Sequence, residues 1–290
     1  MTMRRNSFNL QQQQVGGGAN DQLLSATSDD ETQKDGWDYV HHVMTQLALK
    51  GQYFETLRPS HCLVLDYGTG TGIWAIEVAN QIYRDGGKVV GFGAPNLRPT
   101  SIPTNLEFLE EGRADLWGRK DRFDLIHTRV LPGDKRDWPG FFKEAFGHLK
   151  SGCCLEIEAL NLELLCDYDR PTLNRNLLLK NLNREDTDNG KQDLDFGRTK
   201  ELLKGAGFVN VKEDIVTLPI SPWSEDYRNW WLGHRFNICV EFFLRTGQYA
   251  PPGMDPHPSD LKEIYELHNR YYCRLHLDRR ENRETENLGK

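Results

Sequence analysis

Residues 63–81 read LVLDYGTGTGIWAIEVANQ, and this stretch decides the fold. The apolar run Leu63, Val64, Leu65 ends on Asp66. Gly68, Gly70 and Gly72 follow at alternate positions, and from Ile73 the apolar residues recur at helical spacing. This is a strand, a glycine turn and a helix. Glycine permits the tight turn and lets a ligand approach the backbone, where the helix N-terminus offers free N–H groups. The spacing GxGxG differs from the GxGxxG of dinucleotide binders and from the GxxxxGK[ST] of triphosphate loops, and no lysine follows. An acid immediately before such a turn can pair with a cationic amino group. A bare glycine cluster would be only a turn, but the acid before it and the strand signals after it point to a cofactor pocket.

Working outward, strands are expected near 62–67, 88–92, 106–110, 123–128 and 153–159. Helices are expected near 72–84 and 138–150, with a short turn or helix around 113–118. The alternation argues for an α/β fold, a parallel sheet with helices on both faces. A helix from Gly36 precedes the first strand. The polar stretch 167–195 reads as a helix, and FGRTKELLKGAGF as a helix closed by Gly205 and Gly207. A strand follows at 208–218, then a long aromatic helix capped by Ser224. A proline-rich loop at 251–258, a helix from Ser259 and a last strand at 271–280 complete the chain. Residues 1–34, with QQQQ, GGG and SDDETQ, carry few apolar side chains and are expected to be disordered. The domain then spans 35–281, and 282–290 form a flexible tail.

The 290 residues carry a formal net charge of −7 and a pI near 5.8. Lys and Arg are scattered among acids rather than gathered on one face, which makes nucleic acid a poor partner. Six cysteines show no CxxC spacing and lie largely in apolar runs, which argues for buried thiols in a reducing compartment and against a metal site. No stretch approaches the ~18 apolar residues of a membrane span, and the N-terminus has no apolar signal core. A cytoplasmic or nuclear protein is expected.

Four segments carry a resemblance: GTGTGIWAIEVAN at 68–80, FDLIH at 123–127, AGF at 206–208 followed by a strand, and LPISPW at 218–223. Together they resemble the LaeA-like branch of fungal class I S-adenosylmethionine-dependent methyltransferases, in the same order from about Gly36 to Arg280. The resemblance implies a Rossmann-like, seven-stranded, mostly parallel sheet with one antiparallel strand and S-adenosyl-L-methionine as cofactor. It also implies a place in secondary metabolism, as a regulator or as a pathway methyltransferase. By resemblance, Asp66, Gly68 and Gly70 approach the methionine part of the cofactor and Gly72 completes the loop. Asp115 falls where such enzymes contact the adenine amino group, and His127 at the pocket floor near the methyl donor.

The chain departs from the family at the end of the second strand. There an Asp or Glu usually accepts two hydrogen bonds from the ribose hydroxyls, and VVGFGAPN offers Gly93 instead. No carboxylate lies between Lys88 and Asn105; Asn96 is the nearest partial substitute. Hydrogen bonds to a charged acceptor are worth roughly 1.5–3 kcal/mol each, so weakened cofactor binding is expected. Three functions stay open: methyl transfer to a small secondary-metabolite acceptor, a pseudo-methyltransferase performing a cyclisation or isomerisation, and a regulatory binding protein with a protein partner. Lid elements are expected at 36–58 and 219–258. Trp223, Trp230, Trp231 and Phe236 could line a cavity for an apolar acceptor rather than a peptide, or simply pack a helix onto the sheet. His127 or His234 could serve as base.

Overall fold

Val64, Leu65 and Asp66 are buried in succession, which marks β1 (Leu63–Tyr67) as a central strand covered on both faces. The computed structural model describes residues 29–54, 57, 60–93, 99, 101–112, 115–118, 123–131, 134–166, 194–245 and 271–281. β1 pairs in parallel with β2 (Lys88–Gly93) on one side and with β4 (Phe123–Val130) on the other. β3 (Leu106–Glu110) lies beyond β2, and β5 (Leu149–Cys166) beyond β4. β7 (Tyr271–Glu281) runs antiparallel between β5 and β6 (Val209–Pro219), giving a seven-stranded sheet in the order β3-β2-β1-β4-β5-β7-β6.

Helices cover both faces. α2 (Ile73–Ile82) buries Trp74, Ala75, Val78, Ala79 and Ile82 against Val64, Val89, Leu106 and Leu125. On the opposite face α3 (Trp138–His148) and α4 (Phe196–Gly205) close a core of Leu65, Ile126, Phe142, Leu155, Leu203 and Phe208. A third cluster joins α1 (Asp29–His41), the π-helical turn His42–Ala48 and α5 (Tyr227–Arg245) over the β5 and β6 end, through Val43, Met44, Leu160, Leu218, Phe236 and Phe243. Gly72, which opens α2, has φ +81 and would press a Cβ to 2.5 Å from the Phe108 ring, so only glycine suits this position.

Four local expectations need correction. α1 begins at Asp29, inside the segment read as disordered, because Trp37 and Val40 anchor it to the third cluster. β5 extends well past 153–159, since the long antiparallel β7 satisfies its backbone. α5 is capped by Asp226, whose carboxylate accepts from Asn229 N at 2.9 Å, while Ser224 Oγ accepts only from Asp226 N at 3.3 Å. The first helix also passes into a π-helical turn that no periodicity announced. The readings for 1–28, 167–193, 251–270 and 282–290 lie outside the described residues, as does Asn96. Among the described residues Cys62, Cys153 and Cys239 are free thiols, and no helix is long and apolar enough to cross a membrane.

Asn105 clamps three elements. Its Nδ2 donates to Ala79 O at 2.8 Å and to Gly87 O at 2.9 Å, tying the end of α2 and the approach to β2 to the start of β3. Asn105→Ala strips a partner from both carbonyls and is expected to lower unfolding free energy by about 1–3 kcal/mol, read from urea denaturation.

Candidate functional site

β1 and β4 lie side by side while the chain leaves them in opposite directions, towards β2 and towards β5, and a crevice opens at such a switch point. The cleft there has a volume of about 750 Å³. Tyr67, Gly68 and Gly70 enter it from the end of β1, Phe92 and Gly93 from the end of β2, and Glu111 from just past β3. Trp117, the segment Asp134 to Asp137 and Phe141 of α3 form the facing wall. Gly70 has φ +54 and nothing stands within 4 Å of a Cβ built on it, so bare backbone faces open space. Tyr67 stacks on Phe92 and Trp117, with centroids 5.3 and 5.7 Å away, and meets Phe141 at 4.5 Å.

Arg136 lines the cleft wall together with Lys135 and Lys143. It ion-pairs with Asp134 and donates to Thr128 Oγ1 at 2.8 Å, and its guanidinium lies 5.2 Å over the Tyr67 ring and 5.1 Å over Trp138. The same guanidinium stands above Gly68, where an added Cβ would come within 2.7 Å of it.

Asp66 and His127 do not line the cleft. Both are buried, at 3 % and 1 % exposure, directly behind the glycine turn. Asp66 accepts from Thr69 Oγ1 at 2.7 Å and from His127 Nδ1 at 2.8 Å, which ties the turn to β4. Trp74 stacks on the imidazole at 3.7 Å, with the planes 5° apart. Burial opposes charge on His127, but the Asp66 hydrogen bond and the Glu158 carboxylate 3.7 Å from Nε2 outweigh it and raise its pKa.

The chain of charges continues outward. Glu158 is buried, which opposes ionisation, yet Arg129 and His127 pull its pKa down to about 2. Arg129 Nε and NH2 donate to Glu158 at 2.8 and 2.6 Å, NH2 also reaches Thr45 Oγ1 at 2.9 Å, and NH1 donates to His41 Nδ1 at 2.9 Å. A guanidinium can only donate, so His41 Nδ1 accepts and Nε2 carries the proton that bonds Glu77 at 2.7 Å. Burial and Arg129 hold His41 neutral, with a pKa lowered to about 4.

The remaining sequence candidates lie apart from the cleft. Gly72 packs on Phe108 at the base of the turn, and Asp115 is exposed, its carboxylate bonding Gly118 N at 2.8 Å. Trp230, Trp231 and His234 stack along α5, with Arg235 4.3 Å over Trp231, and Trp223 sits half-buried in the turn before it. None of these lines the cleft. Sequence reasoning missed Tyr67, Glu111, Trp117, Arg136 and the set His41, Glu77, Arg129, Glu158. No spacing links the members of that set. Only Tyr67, inside the glycine motif, and the acid pair Glu110–Glu111 ending β3 carried a usable signal.

Residues 39–243 match the family described as a methyltransferase domain. The chain belongs to that family. It is similar to the secondary metabolism regulator LAE1 of Cochliobolus heterostrophus, 29 % identical over 77 % of this chain and 74 % of the relative. It is likewise similar to the protein-methionine methyltransferase laeA of Emericella nidulans, 30 % identical over 77 % of this chain but only 60 % of that protein. Among solved structures, Haemonchus contortus phosphoethanolamine N-methyltransferase 2, in complex with phosphomonomethylethanolamine and S-adenosylhomocysteine, superposes with a TM-score of 0.51. It is 12 % identical over 90 % of this chain and 60 % of that one, a likeness of fold.

The donor set suits the family's cofactor, S-adenosyl-L-methionine. Bare backbone at Gly70 would leave room for its amino-acid part, Phe92 and Trp117 would give aromatic surface for a purine, Glu111 would offer acceptor oxygens to hydroxyls, and Arg136 and Asp134 would offer a charge of each sign to an amino acid.

The buried charges set a pH dependence. His41 has a depressed folded pKa, so the unfolded chain takes up its proton first, and stability falls as pH drops from about 6.5 towards about 4. At about 1.4 kcal/mol per pKa unit this amounts to at most about 3.5 kcal/mol. Glu158 adds a further loss below about 4.5, down to about 2. His127 has the opposite sign: its raised pKa stabilises the fold below 6.5, and that contribution is lost as pH rises through the folded value. Urea denaturation of His41→Gln against the wild type should show a flatter stability profile between pH 6.5 and 4, on a lower baseline.

Proposed function

We propose that the chain transfers a methyl group from S-adenosyl-L-methionine to a small natural-product acceptor. The observation that carries this reading is the cleft itself: bare glycine backbone opposite aromatic walls, at the switch point of a methyltransferase domain. The cofactor supplies an electrophilic methyl group on a sulfonium. The protein's part is positioning, by holding the donor still and keeping an acceptor in line with it. Phe92 and Trp117 offer the purine a stack, and Arg136, preset over Gly68, offers the methionine carboxylate a cation. A cleft of about 750 Å³ suits a small-molecule ligand set.

His127 acts on this reading as a positioning residue. Its Nδ1 is bonded to Asp66 and its ring is covered by Trp74, so it fixes the turn rather than taking a proton from an acceptor. His234, on α5, stands outside the cleft. Acceptors that ionise readily, such as phenols, therefore fit best.

The Arg136–Asp134 pair favours a second reading, a cofactor-free role as pseudo-methyltransferase or regulator, because a methionine group entering over Gly68 has to compete with Asp134 for the guanidinium. Calorimetric titration with S-adenosyl-L-methionine, followed by transfer of radiolabelled methyl to a panel of phenolic and polycyclic hydroxyl compounds, separates the two. Binding with turnover is expected, and absence of binding would favour the second reading.

Gly70→Val tests the assignment of the loop. At φ +54 a β-branched side chain is strained, and it would fill the open space that the backbone presents to the cleft. Loss of cofactor binding at least tenfold is expected, in a protein whose circular dichroism still shows it folded; an unchanged affinity would remove the turn from the site.

A further inference from the structure

The chain lacks an acid at the end of β2, and a side chain added there would need the glycine turn to give by a few tenths of an ångström. Gly93 lines the cleft, but a Cβ built on it lies 3.3 Å from the backbone nitrogen of Thr69 and 3.7 Å from the Gly68 carbonyl carbon. That nitrogen is fixed, since Gly68 N and Thr69 N both donate to Phe92 O, at 2.8 and 2.9 Å. The glycine turn is therefore drawn down onto the end of β2, and backbone cannot yield as a flexible side-chain tip would.

The residue just past the neighbouring strand β3 carries a carboxylate and lines the same cleft. Gly93 pairs with Glu110 in the parallel register, and the next residue, Glu111, donates its N–H to Gly93 O at 3.1 Å. This bond fixes the Glu111 backbone against Gly93 just past the edge of the sheet, and its side chain lines the same cleft. Among the described residues no side chain hydrogen-bonds or ion-pairs with the Glu111 carboxylate. Its charge is felt at Tyr67, whose pKa is raised by burial, lowered by Arg136 and raised again by Glu111 and Asp134. Among the described residues, then, the exposed Glu111 side chain lines the cleft wall without a side-chain partner from the fold.

We infer that Glu111, reaching across from β3, accepts the hydrogen bonds of the nucleoside ribose hydroxyls that an acid at the position of Gly93 would otherwise take. The inference rests on the proposal that the cleft binds an S-adenosyl ligand. It replaces the expectation of weakened binding drawn from Gly93 alone: the acceptor is present, supplied by a different strand. It also predicts that Gly93→Asp brings no gain, because the new side chain crowds Thr69 and sets a second negative charge beside Glu111.

The test is calorimetric titration of the full chain and of Glu111→Gln with two probes, S-adenosylhomocysteine and its 2′,3′-dideoxy analogue, with thermal midpoints checking that the variant is folded. Glu111→Gln should weaken S-adenosylhomocysteine binding by tenfold or more, while its effect on the dideoxy analogue should be threefold or less, because the hydroxyls that Glu111 serves are missing. Gly93→Asp should bind S-adenosylhomocysteine no more tightly than the wild type. An equal loss for both probes would mean that Glu111 acts by general charge and would overturn the ribose assignment. So would an unchanged affinity in Glu111→Gln, or a tightening in Gly93→Asp, while the wild type still binds. If the wild type binds neither probe, the cofactor reading of the cleft falls and this inference with it.

Discussion

Asp66, His127, Glu158 and Arg129 form a line of alternating acidic and basic side chains through the middle of the sheet, and the placement of the glycine turn depends on it. Burying such groups singly would cost several kcal/mol each. They are tolerated together because each faces a partner of opposite sign and most polar atoms are hydrogen-bonded. The arrangement demands register: His127 must sit opposite Asp66 across the β1–β4 ladder, and Arg129 opposite Glu158 across β4–β5, as the parallel pairing places them. A slip by one residue would turn every one of these side chains to the other face. Hydrophobic burial makes the sheet stable; the charges make one alignment of it preferable to its neighbours.

The same line explains how the N-terminal elements are held. Arg129 extends beyond Glu158 to His41 and Thr45, and His41 continues to Glu77 on α2. The end of α1 and the π-helical turn are thereby bound to the central strands by polar contacts, while Val40, Val43 and Met44 bind them to α5 by apolar ones. A π-helical turn places an extra residue in the helix ladder. Here the turn contains Thr45, buried and in reach of Arg129, directly after the helix residue His41 that the same guanidinium holds.

On the open side of the turn the requirements are reversed. Behind it, Asp66 is fully committed to Thr69 and His127; in front, Gly70 offers backbone with no side chain, and charges stand only on the surrounding walls. The turn can be both rigid and accessible because rigidity comes from one face and access from the other. Arg136 shows the consequence for electrostatics: stacked over Tyr67 and Trp138 and paired with Asp134, it is preorganised, so a carboxylate meeting it would not have to order a flexible side chain.

Much of this was legible in the chain itself. The strand, glycine turn and helix of residues 63–81 follow from local physics, since glycine takes the left-handed backbone of the turn without the cost a Cβ brings, and the apolar periods on each side are short-range signals. Strands β1 to β4 fall within a residue or two of their expected limits for the same reason. Capping misled at Ser224, because a serine and an aspartate two positions apart compete for one helix end and the geometry chose Asp226. The site needed the tertiary structure. Nothing in the spacing of His41, Glu77, Arg129 and Glu158 brings them together, and the contacts arise only when α1 crosses α2 and the ends of the sheet. Asp66 and His127 were found by sequence, yet which face of β1 and β4 they occupy, buried behind the turn, depends on strand register and on Trp74 closing over them. Glu111 illustrates the division most clearly. The sequence determines that β2 ends on glycine, but Glu111, whose N–H bonds the Gly93 carbonyl, follows a strand many residues later, and only the parallel pairing of β2 with β3 makes them neighbours.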